Sequence, residues 1–196
     1  MRKGSSFALL ALGLVLAAGC GPKAITVGSR PFPAARPVFH DASGHALEAL
    51  PAAEETIRLV FLDFPWCPAC ADVWGAVRAA AKPFPRGTVR VYRVLFDRET
   101  MLSPAGRLEV PPLRPAPLPE SDGTEDPGIP EVTTLTAIPD GFHKEFRVSQ
   151  GPVLLLLGPG GKVEKRWIGF STGMSLELSS EIRKRSRVPS PRPPGT

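Results

Sequence analysis

The feature that most constrains this chain is a pair of cysteines, Cys67 and Cys70, between an apolar run and an Ala-rich helical pattern. Residues 59–62 predict a buried strand, and the pattern from Pro68 onward predicts an amphipathic helix. A cysteine in the first turn of a helix meets unpaired backbone N–H groups and the positive end of the helix dipole, and both favour the thiolate. Cys70 lies one turn further on the same face, at a separation compatible with a disulfide bond. The pair therefore predicts thiol–disulfide exchange.

The third cysteine, Cys20, ends a short N-terminal segment typical of secreted proteins. Residues 1–19 contain Arg2 and Lys3 followed by an uncharged apolar run that is too short for a comfortable membrane span. The ending Leu-Ala-Ala-Gly-Cys resembles the bacterial lipoprotein signal, in which the cysteine is lipidated and becomes the first mature residue. We therefore expect a signal peptide over 1–19 and an extracytoplasmic, membrane-anchored lipoprotein of the cell envelope or periplasm, with acyl chains on Cys20. Plain signal cleavage and an uncleaved anchor stay open as alternatives.

The number of cysteines and the net charge limit the remaining possibilities. The chain has three cysteines, so lipidation of Cys20 and exchange at Cys67 and Cys70 leave none for a structural disulfide. The formal net charge is +5, and it falls by two, to +3, when Arg2 and Lys3 are removed. This mild charge, without interleaved aromatic residues, favours no nucleic-acid partner. The sequence predicts no cofactor.

Changes in composition predict the organisation of the chain. Residues 20–37 are rich in proline and predict an extended tether. One domain is expected over 38–185, with a Pro-rich insertion at about 103–130 whose prolines forbid a regular element. That insertion is expected to be a solvated loop, and a polyproline segment that binds a partner stays open. The basic residues from Arg183 onward predict a frayed end, with 186–196 as a disordered tail.

The patterns inside the domain predict alternating strands and helices. The predicted elements are a hairpin over 38–47 that turns at Ser43-Gly44, strands over 57–64, 89–96, 153–157 and 163–170, a helix from Pro68 to about residue 81, a weaker helix over 138–148, and a closing helix built on Met174, Leu178 and Ile182. No element is predicted for residues 131–137.

This order of elements resembles the thioredoxin fold, and the closer likeness is to the membrane-anchored TlpA/ResA-like branch of that family. The family motif Trp-Cys-Pro-x-Cys matches Trp66 to Cys70, the N-terminal hairpin would be residues 39–50, and the cis-proline would be Pro152, which follows Gly151. The resemblance covers most of residues 38–185. It implies an α/β, thioredoxin-like fold with an N-terminal β-hairpin, a central mixed sheet flanked by helices, and a Pro-rich insertion.

The resemblance also implies a function. The chain would be an extracytoplasmic, lipid-anchored thiol–disulfide oxidoreductase, with Cys67 as the exposed nucleophile and Cys70 as the resolving thiol. Its partners would be protein disulfides or dithiols and a membrane or periplasmic electron donor. The direction of electron flow stays open. The residues that would support the substrate are Trp66, Pro68, Gly151 and Pro152.

The chain departs from the thioredoxin pattern beneath the cysteines. Where thioredoxins bury an acidic residue in the strand before the active site, this chain has Phe61. Asp63 could replace that acid only if its side chain points inward, which the alternation of a strand allows. The usual basic residue after the second cysteine is Ala71 here. The sequence therefore assigns no proton acceptor to Cys70.

Two other functions stay open from the sequence. One is a metal-binding or copper-delivery lipoprotein on the same scaffold, which would add His40, His45 or His143 to the two cysteines. No metal site is predicted, because the chain has no second Cys-x-x-Cys and these histidines are remote from the motif in sequence. The other is an interaction module in which the Pro-rich loop and tail matter more than the thiols.

Overall fold

The computed structural model describes residues 22–51, 57–64, 67–96, 131–148 and 150–186. The predictions for the signal peptide, for Cys20 and Trp66, for the Pro-rich insertion and for the tail beyond Ser186 lie outside these residues. Within the described ranges, no helix is both long enough and apolar enough to cross a bilayer.

Nine strands, three α-helices and a short 3-10 helix (Pro159–Gly161) are described. The strands are β1 (Lys23–Ala24), β2 (Phe39–His40), β3 (Ala46–Leu47), β4 (Ile57–Asp63), β5 (Val89–Leu95), β6 (Glu131–Ala137), β7 (Phe146–Arg147), β8 (Val153–Leu157) and β9 (Val163–Ile168). The helices are α1 (Pro68–Ala81), α2 (Pro139–Glu145) and α3 (Met174–Ser186).

Seven of the strands form one mixed sheet in the order β3-β2-β6-β5-β4-β8-β9. The three neighbours β6, β5 and β4 run parallel, while β8 and β9 are antiparallel additions at one side. β4 is an almost unbroken apolar run because both of its faces are covered. Helices α1 and α3 pack against each other and α3 also contacts β4, so the cysteine-bearing helix is fixed on the central strands.

The N-terminal hairpin is present as predicted. β2 and β3 pair antiparallel, with Phe39 opposite Leu47. The connecting turn is held by Asp41, whose Oδ1 accepts hydrogen bonds from the backbone N–H groups of Ser43 and His45, both 2.9 Å long. Gly44 completes the turn with a φ of +84°, a conformation that side chains disfavour.

Strand β6 has no counterpart among the predicted elements. It pairs in parallel with β5 and antiparallel with β2, so it links the hairpin to the central sheet. Its sequence, Glu-Val-Thr-Thr-Leu-Thr-Ala, buries only Leu135 and Ala137, which leaves too weak an apolar pattern to predict a strand. The helix predicted over 138–148 is shorter than expected, because α2 ends at Glu145 and the chain continues as β7.

The prediction of an extended tether over residues 20–37 is wrong for residues 22–37, the part that the structure describes. β1 pairs in parallel with β7, and two backbone hydrogen bonds, 2.7 and 2.8 Å long, join residues 28–29 to Val163. Ile25 and Phe32 are buried in the core. These two apolar side chains hold the proline-rich segment against the domain, because their burial offsets the loss of chain entropy.

Aromatic rings connect this N-terminal segment with the end of β4. The rings of Phe64 and Phe96 stack at a centroid distance of 4.6 Å, and Phe96 meets Phe142 of α2 edge-on at 4.9 Å. The cluster is completed by Phe32, Phe39 and Phe146. Phe64 is therefore fixed by packing just before the cysteine motif.

The prediction of a frayed end from Arg183 onward is also wrong for residues 183–186. Helix α3 continues through Ser186. Arg185 lies 2.6 Å from a carboxylate oxygen of Glu164 in β9 and also pairs with Glu181 one helical turn earlier. Hydrogen bonds from Arg185 and from Lys184 lower the pKa of Glu181 to about 2, so this network stabilises the last turn of α3 on the sheet.

Candidate active site

Cys67 and Cys70 lie at the junction between β4 and α1, where the sequence predicts them. Cys67 is the N-cap residue of α1, with an extended backbone, and Pro68 occupies the first turn. Proline suits that position because it has no N–H to leave unpaired and its fixed φ matches the helix. The N–H of Cys70 donates to the carbonyl of Cys67 at 3.0 Å, which closes the first turn.

The two thiols are free and differ in exposure. Cys67 is half-exposed, whereas Cys70 is buried with 5% of its surface accessible. The half-exposed thiol lies at the N-terminal end of a 14-residue helix, where unpaired N–H groups and the helix dipole favour an anion. A partner molecule can therefore reach Cys67 but not Cys70.

The environment of Cys70 favours the protonated thiol. Burial raises the pKa of the Cys70 thiol far above its usual range, and the neighbouring Cys67 and Asp63 raise this pKa further. The backbone N–H of Phe64 donates to Cys70 Sγ at 3.4 Å and opposes this effect. Near neutral pH, Cys70 is therefore a thiol that must lose its proton before it can attack a disulfide.

A buried ion pair lies behind the cysteines. The side chain of Asp63 is buried and points inward. It therefore meets the condition under which Asp63 could replace the acidic residue that thioredoxins bury in this strand. Its Oδ2 accepts a hydrogen bond from Arg93 Nε at 2.6 Å. The Arg93 guanidinium lies over the ring of Trp74 in α1, 5.4 Å from its centroid. Trp74 in turn stacks on Phe61 at 6.1 Å. Asp63 is thus the carboxylate that acts electrostatically on Cys70.

Sequence reasoning missed Arg93 as part of this site. The feature that could have indicated it is the position of a charged residue inside β5, a strand that is otherwise mostly buried. In the parallel register Arg93 lies opposite Phe61, so its side chain is on the face of the sheet that α1 covers. A charge in such a position needs a partner, and Asp63 provides it.

The segment of Gly151 and Pro152 approaches the motif through Phe64. The peptide bond between Gly151 and Pro152 is cis, as the resemblance implies. A Cβ added at Gly151 would overlap the ring of Phe64, whose backbone N–H donates to Cys70 Sγ. Phe64 therefore joins the two segments, and sequence reasoning did not single it out. The supporting roles of Pro68, Gly151 and Pro152 stay predictions.

The metal hypothesis finds no ligand set in the described part of the chain. No three side chains of the His, Cys, Asp or Glu type are grouped there so that they could hold a metal ion. His40 and His45 lie in the N-terminal hairpin. The side chain of His143 and the whole of Trp66 lie outside the described residues.

Comparisons with solved structures identify the fold. No family model matches the sequence, and no curated protein does either. Among solved structures, a protein of Chlorobium tepidum described as a thiol:disulfide interchange protein DsbE is 18% identical, with a TM-score of 0.51, over 83% of this chain and 99% of that chain.

Two further structures are similar. A thioredoxin-like protein from Aeropyrum pernix is 16% identical with a TM-score of 0.51, over 74% of this chain and 88% of that chain. The thioredoxin domain of the thiol-disulfide oxidoreductase BVU-2223 from Bacteroides vulgatus is 15% identical with a TM-score of 0.50, over 82% and 98%. Likeness at such identities establishes the architecture alone. Together with the strand order and the position of the Cys-x-x-Cys helix, it shows that this chain has the α/β thioredoxin-like fold.

Proposed function

We propose that the chain is an extracytoplasmic, lipid-anchored thiol–disulfide oxidoreductase that exchanges disulfides with protein substrates. The observation that carries this proposal is the asymmetry of the dithiol. A half-exposed Cys67 lies at the N-terminus of α1, and a buried, protonated Cys70 lies one turn behind it. This arrangement separates an attacking thiol from a resolving thiol.

In the reductive direction, the Cys67 thiolate attacks one sulfur of a substrate disulfide. The substrate S–S bond breaks, its other sulfur leaves as a thiolate and takes a proton from solvent, and a mixed disulfide joins Cys67 to the substrate. Cys70 then loses its proton and attacks Cys67 Sγ. The substrate sulfur leaves reduced, the Cys67–Cys70 disulfide forms, and two electrons have passed from the dithiol to the substrate.

The same residues operate in the oxidative direction when these steps are reversed. A substrate thiolate attacks Cys67 Sγ of the Cys67–Cys70 disulfide, and Cys70 leaves and takes up a proton, which its buried environment then retains. A second substrate thiolate attacks the substrate sulfur of the mixed disulfide, and Cys67 leaves as a thiolate at the N-terminal end of α1. The substrate disulfide forms, and two electrons have passed from the substrate to the dithiol. A membrane or periplasmic electron donor would return the dithiol to its reduced form after each reductive cycle. Trp66, Pro68, Gly151 and Pro152 are proposed to contact or support the substrate.

The anchor is proposed to be Cys20. Its support is the basic and apolar segment over 1–19 and the Leu-Ala-Ala-Gly-Cys ending. Cells fed a labelled fatty acid should incorporate the label into the wild-type protein and not into a Cys20→Ser variant. Equal labelling of the two would exclude lipidation at this cysteine.

The redox proposal is tested by insulin reduction and by trapping of mixed disulfides. The Cys67→Ser variant should lose disulfide reduction, and the Cys70→Ala variant should accumulate mixed disulfides through Cys67, because nothing resolves them. Cys20→Ser is the matched control, since it also replaces one cysteine with serine and should leave insulin reduction unchanged. Wild-type activity in the Cys67→Ser variant would refute the proposal.

A further inference from the structure

The packing of the N-terminal segment leaves little free chain between Cys20 and the folded domain. β1 begins at Lys23, three residues after Cys20. Three extended residues span at most about 11 Å, which is close to the Debye length of about 8–10 Å at physiological salt. Lipid attached to Cys20 would therefore hold the surface around Lys23 within electrostatic reach of the lipid head groups.

That surface is basic. Lys23 and Arg147 belong to the paired strands β1 and β7, and Arg166 Nη1 donates to the carbonyl of Ile25 at 2.6 Å. Two more cations, the side chains of Lys162 and Arg30, lie beside Gly28 and Gly160. We call this set the basic surface, and all of its members are exposed: Lys23, Arg30, Arg147, Lys162 and Arg166.

Carboxylates in the described part of the chain do not compensate the charges of the basic surface. Within the described ranges, none of its members takes part in an ion pair. Glu145, in α2 next to β7, is paired with Arg36 at 2.8 Å, and Glu164 in β9 is paired with Arg185 at 2.6 Å. Both carboxylates are thus engaged by arginines outside the set, which leaves a net positive face.

An exposed apolar side chain lies next to Gly28, the residue beside which Lys162 lies. Val27 is 61% exposed in the tight turn completed by Gly28, whose φ is +90°. The turn is fixed on the domain by the hydrogen bond between Gly28 N and Val163 O. An exposed apolar side chain on a basic surface is the pattern that suits the interface of an anionic bilayer.

We propose that the basic surface lies against an anionic phospholipid bilayer and orients the domain on it. This inference rests on the lipid anchor of the proposed function, which brings the surface to the membrane. A cavity of about 60 Å³ lined by Arg147 and Arg166 is also lined by Gln150, which precedes Gly151. The basic surface therefore adjoins one side of the proposed site, so the site works on disulfides presented close to the membrane.

The test uses the processed chain, residues 20–196, with Cys20 replaced by serine so that it carries no lipid; it contains every described residue. Co-sedimentation is measured with vesicles of phosphatidylcholine alone and with vesicles that also contain phosphatidylglycerol. We expect binding only to the phosphatidylglycerol vesicles, and weaker binding as salt is raised. Replacing Lys23, Arg30 and Lys162 with Gln should weaken binding by about a hundredfold, because each cation near an anionic surface contributes roughly fivefold.

A matched control removes the same charge elsewhere. Arg78 and Lys82 at the end of α1 and Arg183 in α3 are exposed and outside the basic surface, so their combined replacement with Gln should change vesicle binding by less than about threefold. Circular dichroism verifies that both triple variants fold. The single substitution Val27→Ser should also weaken vesicle binding relative to the unsubstituted protein, without any change in charge, because the exposed apolar side chain is lost.

Several results would overturn the inference: no binding to phosphatidylglycerol vesicles, an equal loss of binding in the two triple variants, or binding to polyglutamate in place of vesicles, which would indicate an acidic protein partner. Insulin reduction by the same samples reports on the proposed function separately. Vesicle binding by a protein that reduces no disulfide would support the basic surface and refute the redox proposal. Insulin reduction without vesicle binding would support the redox proposal and refute the basic surface as a membrane contact.

Discussion

Asp63 and Arg93 form a buried ion pair directly behind the dithiol, with Arg93 Nε 2.6 Å from Asp63 Oδ2. Their side chains are 8% and 17% exposed. The pair ties the end of β4 to β5, and through the stacking of Arg93 on Trp74 it also ties both strands to α1. The helix that carries the cysteines is thus fixed to the sheet by a charged contact next to Cys70.

Replacement of Arg93 by Gln should be strongly destabilising. The substitution would leave the buried Asp63 carboxylate without its countercharge, so we expect the free energy of unfolding to fall by about 3 kcal/mol. Urea denaturation measures this change. The control is Lys144→Gln, which breaks an exposed pair with Asp140 and should cost less than about 0.5 kcal/mol. Similar small losses in the two variants would show that the buried pair does not hold the site together.

The raised pKa of Cys70 predicts a pH dependence of stability. In the reduced protein the folded state holds this proton to a higher pH than the unfolded state, whose thiol titrates at about 8.5. The stabilisation is therefore complete below that value and is lost as pH rises above it. Melting temperatures between about pH 7 and 10 should fall in the wild type and fall less in the Cys70→Ala variant.

A control for this pH series is the Cys67→Ser variant, which also lacks one thiol. Cys67 is half-exposed, so its loss should leave the alkaline decrease in melting temperature in place. An alkaline decrease that is the same in the wild type and in Cys70→Ala would mean that other groups cause it.

The cysteine site could be predicted from the sequence because its signals are local. Helix α1 is predicted from the apolar strand before it, the proline in its first turn and the helical repeat of apolar residues that follows. In the structure it begins at Pro68 and ends at Ala81. The likeness to the thioredoxin family added Pro152, which follows a cis peptide bond. These features need no knowledge of which distant segments meet.

The remaining features depend on contacts between distant segments. Arg93 and Asp63 are 30 residues apart in sequence, so their pairing is visible only once β4 and β5 are neighbours. β6 carries few apolar residues and is a strand because β5 and β2 pair with it. The prolines of residues 22–37 indicated a free segment, whereas the packing of Phe32 on the rings of Phe39 and Phe146 decides its position.

A methyl group at position 151 should disturb both stability and activity. The Cβ of a Gly151→Ala variant would overlap the ring of Phe64, which is packed on Phe96 and has little room to move. We expect a loss of about 1–3 kcal/mol of stability and slower insulin reduction, because the Phe64 N–H that contacts Cys70 would shift. Thermal melting and the insulin assay measure the two effects.

Gly75→Ala is the matched control for this substitution. Gly75 lies in α1 and has open space around its added Cβ, so alanine should raise stability by about 0.5–1 kcal/mol through its helix propensity. Activity should be unchanged. If Gly151→Ala behaves like Gly75→Ala, the contact between the 151–152 segment and Phe64 is not part of the site.

The packed N-terminal segment predicts that Phe32 is a core residue. Its ring is 6% exposed and contacts Phe39 and Phe146 at centroid distances of 5.1 and 5.6 Å. Truncation of a buried phenylalanine to alanine costs about 3–5 kcal/mol, and we expect Phe32→Ala to lower the free energy of unfolding by an amount in this range. A solvated tether would give no such effect, so urea denaturation distinguishes the two arrangements.

Val27→Ala is the control in the same segment. Val27 is 61% exposed, so its truncation should change stability by less than about 0.5 kcal/mol. Limited proteolysis gives a second measurement, because residues that are hydrogen-bonded to β7 and β9 resist cleavage until the domain opens. Rapid cleavage after Arg30 in the wild type, with the rest of the domain intact, would mean that the segment detaches and that the basic surface is not held in place.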